Sequence, residues 1–186
     1  MWEPFRLERG WTHLQQNPEL DGVYAALWWV YPDGKKEFVY QDAGRLDMSK
    51  AIWRNPGYLQ TLLVRTESVR KFGGFDTAIR TCEDHDFAIR LVESGAQVDY
   101  LMEPIVIHRR HGNNQSSQFA LALENNMKLV EKHKHLLVQV YGPSGPRRQR
   151  GRNYRLYGRQ TGGVKGRLYY YVGVVLGNFE RRVYMD

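Results

Sequence analysis

"TCEDHDFAIRLVESGAQVDYLMEPIVIHRRH" (residues 81–111) is the stretch on which the fold turns. Its first half reads as a helix: Phe87 and Leu91, with Ala88 and Val92 less centrally, recur at helical spacing over 83–94, and Gly95 stops the run. Its second half alternates from Gln97 and then gives a short apolar strand after Pro104. Upstream, "GVYAALWWVY" (22–31) has almost no polar residues and reads as a strand buried on both faces. "PDGKKEFVY" (32–40) adds a turn with Gly34 at its tip and a second strand, a hairpin.

The remaining segments follow the same alternation. "EPFRLERGWTHLQQNPEL" (3–20) predicts a helix begun at Pro4, with Leu7, Trp11 and Leu14 on one face. Residues 41–58 carry no firm period and read as a long connection. "YLQTLLVR" (58–65) is a second buried strand, expected beside 22–31 at the centre of the sheet with the 83–94 helix on one face. "TESVRKFGG" (66–74) is a short helix for Thr66 to cap and Gly73 to end. "SSQFALALENNMKLVEKHKHLLVQV" (116–140) is a long amphipathic helix with Phe119, Leu123, Met127 and Val130 on one stripe and with His133 and His135 solvated. "YGPSGPRRQRGR" (141–152) has the composition of a linker, and one aromatic-rich helix follows, weakened by Gly173 and Gly177. Strands alternating with helices indicate an α/β layer structure, and the hairpin-like pieces make its sheet mixed.

Composition limits the function classes. At 186 residues the chain is one domain with at most a small appendage, here 1–140 and 141–186, and 42% hydrophobic residues suffice for a core. The single cysteine, Cys82, excludes an internal disulfide and fits a reducing compartment. The opening residues lack the apolar stretch of a signal peptide, and the longest apolar run, 168–179, is too short to span a bilayer as a helix. The expected location is cytoplasmic, with peripheral attachment to the inner face of a membrane open. Residues 141–186 hold ten Arg and Lys against two acids, a net +8, while residues 1–140 sum to −1. Such a tail suits phosphates, an acidic partner or anionic lipid headgroups, or serves only to solubilise. "GGVKGR" (162–167) lacks the spacing of a phosphate loop.

Two clusters carry possible chemistry. Glu83, Asp84, His85 and Asp86 stand at the first turn of the 83–94 helix, where unpaired N–H groups and the helix dipole favour carboxylates. A cap worth roughly 0.5–2 kcal/mol explains one of them. Asp86 can pair with Arg90 at i,i+4, which leaves Glu83, Asp84 and His85 for other work, including general-base catalysis. In "HRRHGNNQS" (108–116), Arg109 and Arg110 can clamp phosphate oxygens. His111, just past the expected strand end, can join an oxygen-rich Mg²⁺ or Mn²⁺ site. A strand-end group of surface polar residues is the alternative.

Three pieces in order, "WEPFRLERGWTHLQQNPELDGVYA…PDGK", "LLVRTESVRKFGGFD" and "CEDHDFAIRLVESGAQVDYLMEPIVIHRRHGNNQS", resemble the C-terminal half of a family 2 inverting glycosyltransferase of GT-A fold, over residues 2–137. The resemblance implies a partial GT-A-like mixed sheet with packed helices. It makes Asp84 the catalytic base, with Glu83 beside it at the acceptor site. It lays Gly73 and Gly74 along donor sugar and acceptor, and makes His111 a contact of the Mg²⁺ or Mn²⁺ that the complete enzyme uses. It implies a nucleotide-sugar donor and a glycan, lipid-linked or protein acceptor. The family's nucleotide-binding half and its DxD motif have no counterpart here. The expectation is therefore an incomplete, inactive chain, completed by a separate N-terminal-half partner or covered at its open sheet edges by a homo-oligomer. The competing class is a non-catalytic binding module whose basic tail contacts nucleic acid, a membrane surface or a partner protein. Arg and Tyr interleave in "RNYRLYGRQ" as a nucleic-acid surface requires, but no nucleic-acid motif accompanies them.

Overall fold

The computed structural model describes residues 1–40, 44–110 and 119–177. The chain divides into two compact units, one of residues 1–77 and 83–114, the other of 78–82 and 115–186.

The first unit is a four-stranded mixed sheet flanked by packed helices. Strand β1 (Gly22–Val30) is its centre. On one side it pairs parallel with β4 (Val98–Arg109), from Gly22 opposite Val98 to Val30 opposite Arg109. On the other it pairs antiparallel with β2 (Lys36–Val39) near its end and with β3 (Leu63–Val64) at its start. Burial on both faces explains its unbroken apolar run. Val23 packs with Leu14 and Leu20, while Tyr24 joins Phe87, Leu91 and Val98 in a separate cluster. Val98–Arg109 form one strand and not two. The register slips where Leu101 and Pro104 face Ala25 and Ala26, an irregularity that accommodates a proline inside a strand.

Other expectations are corrected. The 58–65 segment is mostly not strand: Leu59–Thr61 is a 3₁₀ turn, and only Leu63–Val64 joins the sheet. Its backbone is satisfied elsewhere. The Thr61 hydroxyl donates to the Tyr58 carbonyl at 2.7 Å, and the buried Arg6 guanidinium donates to the carbonyls of Gln60 (3.3 Å) and Leu62 (3.0 Å). Arg6 belongs to helix α1 (Arg6–Gln16), whose buried residues are Arg6, Gly10 and Leu14. Leu7 and Trp11 face outward, so the helix is turned about one residue from the expected face. Gly10 is the reason: a Cβ there would meet Leu63 at 2.9 Å, and its absence lets the helix sit close. Residues 41–58 contain helix α2 (Met48–Trp53), capped by Asp47, which accepts the Lys50 N–H at 2.9 Å. Helix α3 (Thr66–Lys71) has Arg65 and not Thr66 at its cap position, with no side-chain bond there.

In the second unit the predicted long helix breaks at His133 into α5 (Phe119–Lys132) and α6 (Lys134–Tyr141). His133 is buried, contrary to the solvated reading, whereas His135 is exposed. The linker-like segment is largely helical: α7 runs Gly145–Thr161 with Pro146 in its first turn, where a missing N–H costs nothing. Gly162 and Gly163, both at positive φ, turn the chain into α8 (Gly163–Gly177). Gly173 does not weaken this helix so much as let it touch α7, since a Cβ there would lie 2.5 Å from the Gly151 carbonyl oxygen. Tyr154 and Tyr157 of the Arg–Tyr run pack on Tyr169, with ring centroids 5.9 and 4.7 Å apart. Among the described residues no helix is long and apolar enough to cross a membrane.

Candidate functional site

Helix α4 (Glu83–Glu93) puts Glu83, Asp84 and Asp86 in its first turn, and these groups divide into two kinds. Asp86 is fully buried and pairs with Arg90 at 2.7 Å, the i,i+4 contact the spacing predicts. Arg90 also donates to the Phe72 carbonyl at 3.1 Å and lies over the Phe72 ring, tying the 72–75 loop to α4. His85 is buried too, and its Nε2 lies 2.8 Å from the Ala51 carbonyl oxygen. That contact fastens α2 to α4.

Glu83 and Asp84 remain. Asp84 accepts from the Asn55 amide at 2.6 Å on one oxygen and from the His85 N–H at 2.8 Å on the other. Burial nevertheless pushes its carboxyl above the usual aspartate range, and the charge of Glu83 adds to the rise against those two bonds. One oxygen of Glu83, Oε2, is buried without a hydrogen-bond partner among the described residues. Below them the Tyr24 hydroxyl is buried and also unpartnered. Burial holds that phenol far above its ordinary range, with the charges of Tyr100 and Asp84 adding.

The segment 55–60 runs from Asp84 to the carboxyl ends of the parallel strands, where open α/β sheets bind ligands. Asn55 is on Asp84. Gly57 lies flat against the Tyr24 ring, where a Cβ would meet Cδ1 at 2.5 Å. The Tyr58 ring packs edge-on to Trp29 of β1 (centroids 6.2 Å apart) and tilts against His108 of β4 at 5.8 Å. Gln60 donates to His108 Nδ1 at 2.7 Å, which puts the ring proton on Nε2. The Arg110 guanidinium lies 4.6 Å from the Trp29 ring centre. Tyr58 senses both ends: burial raises its phenol, Arg110 opposes that rise, and Asp84 adds to it.

Of the residues singled out from the sequence, Glu83 and Asp84 stand in the first turn of α4. Arg110 joins the aromatic group, while Arg109 is exposed at the end of β4. Gly73 and Gly74 follow α3 at φ of 80° and 72°, which favours glycine, with open space where side chains would stand. Phe72 and Phe75, on either side of them, pack on Phe87 of α4 at 5.0 and 4.8 Å. His111 lies outside the described residues. Among the described residues no three or more His, Cys, Asp and Glu are grouped to hold a metal ion. The sequence reading did not select Asn55, Tyr58, Trp29 and Gln60. "RNPGY" (54–58) contained a signal, an Asx–Pro–Gly turn in which the Gly57 N–H bonds Asn55 Oδ1 at 3.3 Å. An open groove of about 640 Å³ lined by Leu123, Met127, Tyr154 and Tyr169 belongs to the second unit, and none of the selected residues lines it.

No protein-family model matches the chain, and no curated protein does.

Proposed function

We propose that the first unit is the acceptor side of a sugar-transferring enzyme of the inverting, family 2 type, with a GT-A-like fold. The observation that carries this reading is Asp84: a mostly buried carboxylate held above its ordinary pKa by burial, oriented by Asn55, in a site walled by aromatic rings. A carboxylate so placed is a better proton acceptor than a solvated one. In the proposed step the acceptor hydroxyl gives its proton to Asp84. The acceptor oxygen forms a bond to the anomeric carbon of the donor sugar as the bond to the nucleoside diphosphate breaks on the opposite side, so the configuration inverts. Arg110, and Arg109 beside it, supply positive charge for the departing diphosphate. Aromatic faces such as Tyr58 and Trp29 suit the C–H surface of a pyranose. Gly73 and Gly74 offer backbone that a sugar can approach closely.

Mg²⁺ or Mn²⁺ is implied by the resemblance, but the described residues do not fit a cation, since no three ligands stand together. No step is assigned to one. The donor half and its metal carboxylates are assigned to a partner chain. Calorimetry of the 186-residue chain with UDP and with GDP, with and without Mn²⁺, tests this division. Weak, metal-indifferent binding is expected. Tight, Mn²⁺-dependent binding by this chain alone would overturn the acceptor-side assignment, because it requires a donor site within the chain.

A further inference from the structure

We propose that the outward face of α8 docks on an anionic phospholipid surface. Val164, Leu168, Tyr171 and Val175 are 84%, 64%, 65% and 72% exposed, an uncommon state for four large apolar residues on one helix. Their spacing of four, three and four puts them on one stripe. The opposite side of the helix is made of glycine. Gly166 and Gly173 are buried against α7, and a Cβ on either would lie 2.5 Å from an α7 carbonyl oxygen, of Gly158 and Gly151 respectively. The hairpin is thus closed through its small residues and leaves its large aliphatic ones outside. Packing within the second unit does not require that stripe to be apolar.

Charge identifies the occupant. Residues 141–177 contain eight Arg and Lys and no Asp or Glu. Lys165 and Arg167 are exposed and flank the stripe on its two sides, about 100° and 60° around the helix from Val164. Their aliphatic stems can lie along an apolar surface while the charged ends reach phosphates. Tyr171, 65% exposed on the stripe, supplies a ring of the kind that settles at headgroup level. A second copy of α8 would bring the same positive charges face to face, whereas an anionic membrane complements them. At about 1.5 Å per residue, the 15 described residues of α8 reach about 22 Å, short of a bilayer core, which suits a helix lying in the interface.

Co-sedimentation of the full chain with vesicles tests this. Phosphatidylcholine vesicles are compared with vesicles of phosphatidylcholine and phosphatidylglycerol at roughly two to one. Binding to the mixed vesicles is expected, weakened by salt, with little binding to the neutral ones. Leu168→Gln with Val175→Gln is expected to lower it at least about tenfold. Lys165→Gln and Arg167→Gln are each expected to lower it about fivefold. Both changes lie on the solvent side of α8, and circular dichroism should show the helix content retained. No binding to the mixed vesicles, or undiminished binding by Leu168→Gln/Val175→Gln, would overturn the proposal. So would a dimer that this double variant dissociates, in a chain that ignores vesicles.

Discussion

Asp84→Asn is expected to lower sugar transfer by at least about 10² in an assembly that contains both donor and acceptor sides. The amide keeps the shape of the carboxylate and can still accept the His85 N–H, but it cannot take a proton from an acceptor hydroxyl. The loss should appear in kcat, with KM for the donor little changed, because the role proposed for Asp84 is proton transfer and not donor binding. Asn55→Ala is a useful companion. It leaves the carboxylate but removes the 2.6 Å bond that orients it. An intermediate loss, with the pH profile shifted to higher pH, fits a positioning role for Asn55, since its bond lowers the pKa of Asp84. A turnover unchanged by Asp84→Asn would remove the base assignment.

Asp86→Ala is expected to act oppositely, through stability. Asp86 is wholly buried, and its loss leaves the largely buried Arg90 guanidinium without its carboxylate. One Arg90 nitrogen, Nη2, is already buried without a hydrogen bond among the described residues. Breaking a buried pair from one side costs about 3–5 kcal/mol, a large part of a typical domain's 5–15 kcal/mol. Arg90 also holds the Phe72 carbonyl, so the Gly73–Gly74 loop should loosen with it. Urea unfolding of Asp86→Ala and of Asp86→Ala/Arg90→Met checks this. The double variant is expected to recover part of the loss, because it no longer buries an unpaired charge. Equal stability of Asp86→Ala and the native chain would show that the pair contributes nothing.

The sequence exposed some of this and concealed the rest for physical reasons. Strand β1 was legible because burial on both faces leaves no room for polar residues. The Asp86–Arg90 pair was legible because helical spacing alone sets it. The 58–65 segment looked equally like a strand, yet Arg6, more than fifty residues earlier, captures two of its carbonyls. No local pattern reveals such a contact. The face of α1 was misread because Leu7 and Trp11 outweigh Gly10 in any hydrophobic count, while close packing on Leu63 rewards the smallest residue. His85 and His133 looked available or solvated, since burial of a histidine depends on partners elsewhere in the fold. The candidate site was half visible: Glu83, Asp84 and Arg110 from local motifs, but not Asn55, Tyr58 and Trp29. Asn55 and Tyr58 lie on a segment that crosses from Asp84 to the strand ends and has no period to betray it, and Trp29 of β1 is picked out only by its contact with Tyr58.

The central claim is that Asp84 is held for chemistry and is not a helix cap, and stability against pH decides between the two. A carboxyl whose folded pKa is raised costs the fold stability as it ionises. The cost is absent below the unfolded value of about 3.9 and complete above the raised native value. A cap has a lowered pKa, and its contribution grows in with pH instead. Urea unfolding of the native chain and of Asp84→Asn from about pH 3.5 to 8 therefore gives opposite slopes. The stability of Asp84→Asn relative to the native chain should rise with pH and level off above the raised native pKa, so that the native carboxylate is held at a cost the amide avoids. If Asp84→Asn instead falls below the native chain as pH rises, ending lower by the roughly 0.5–2 kcal/mol of an ordinary cap, Asp84 is structural and the proposed base is wrong.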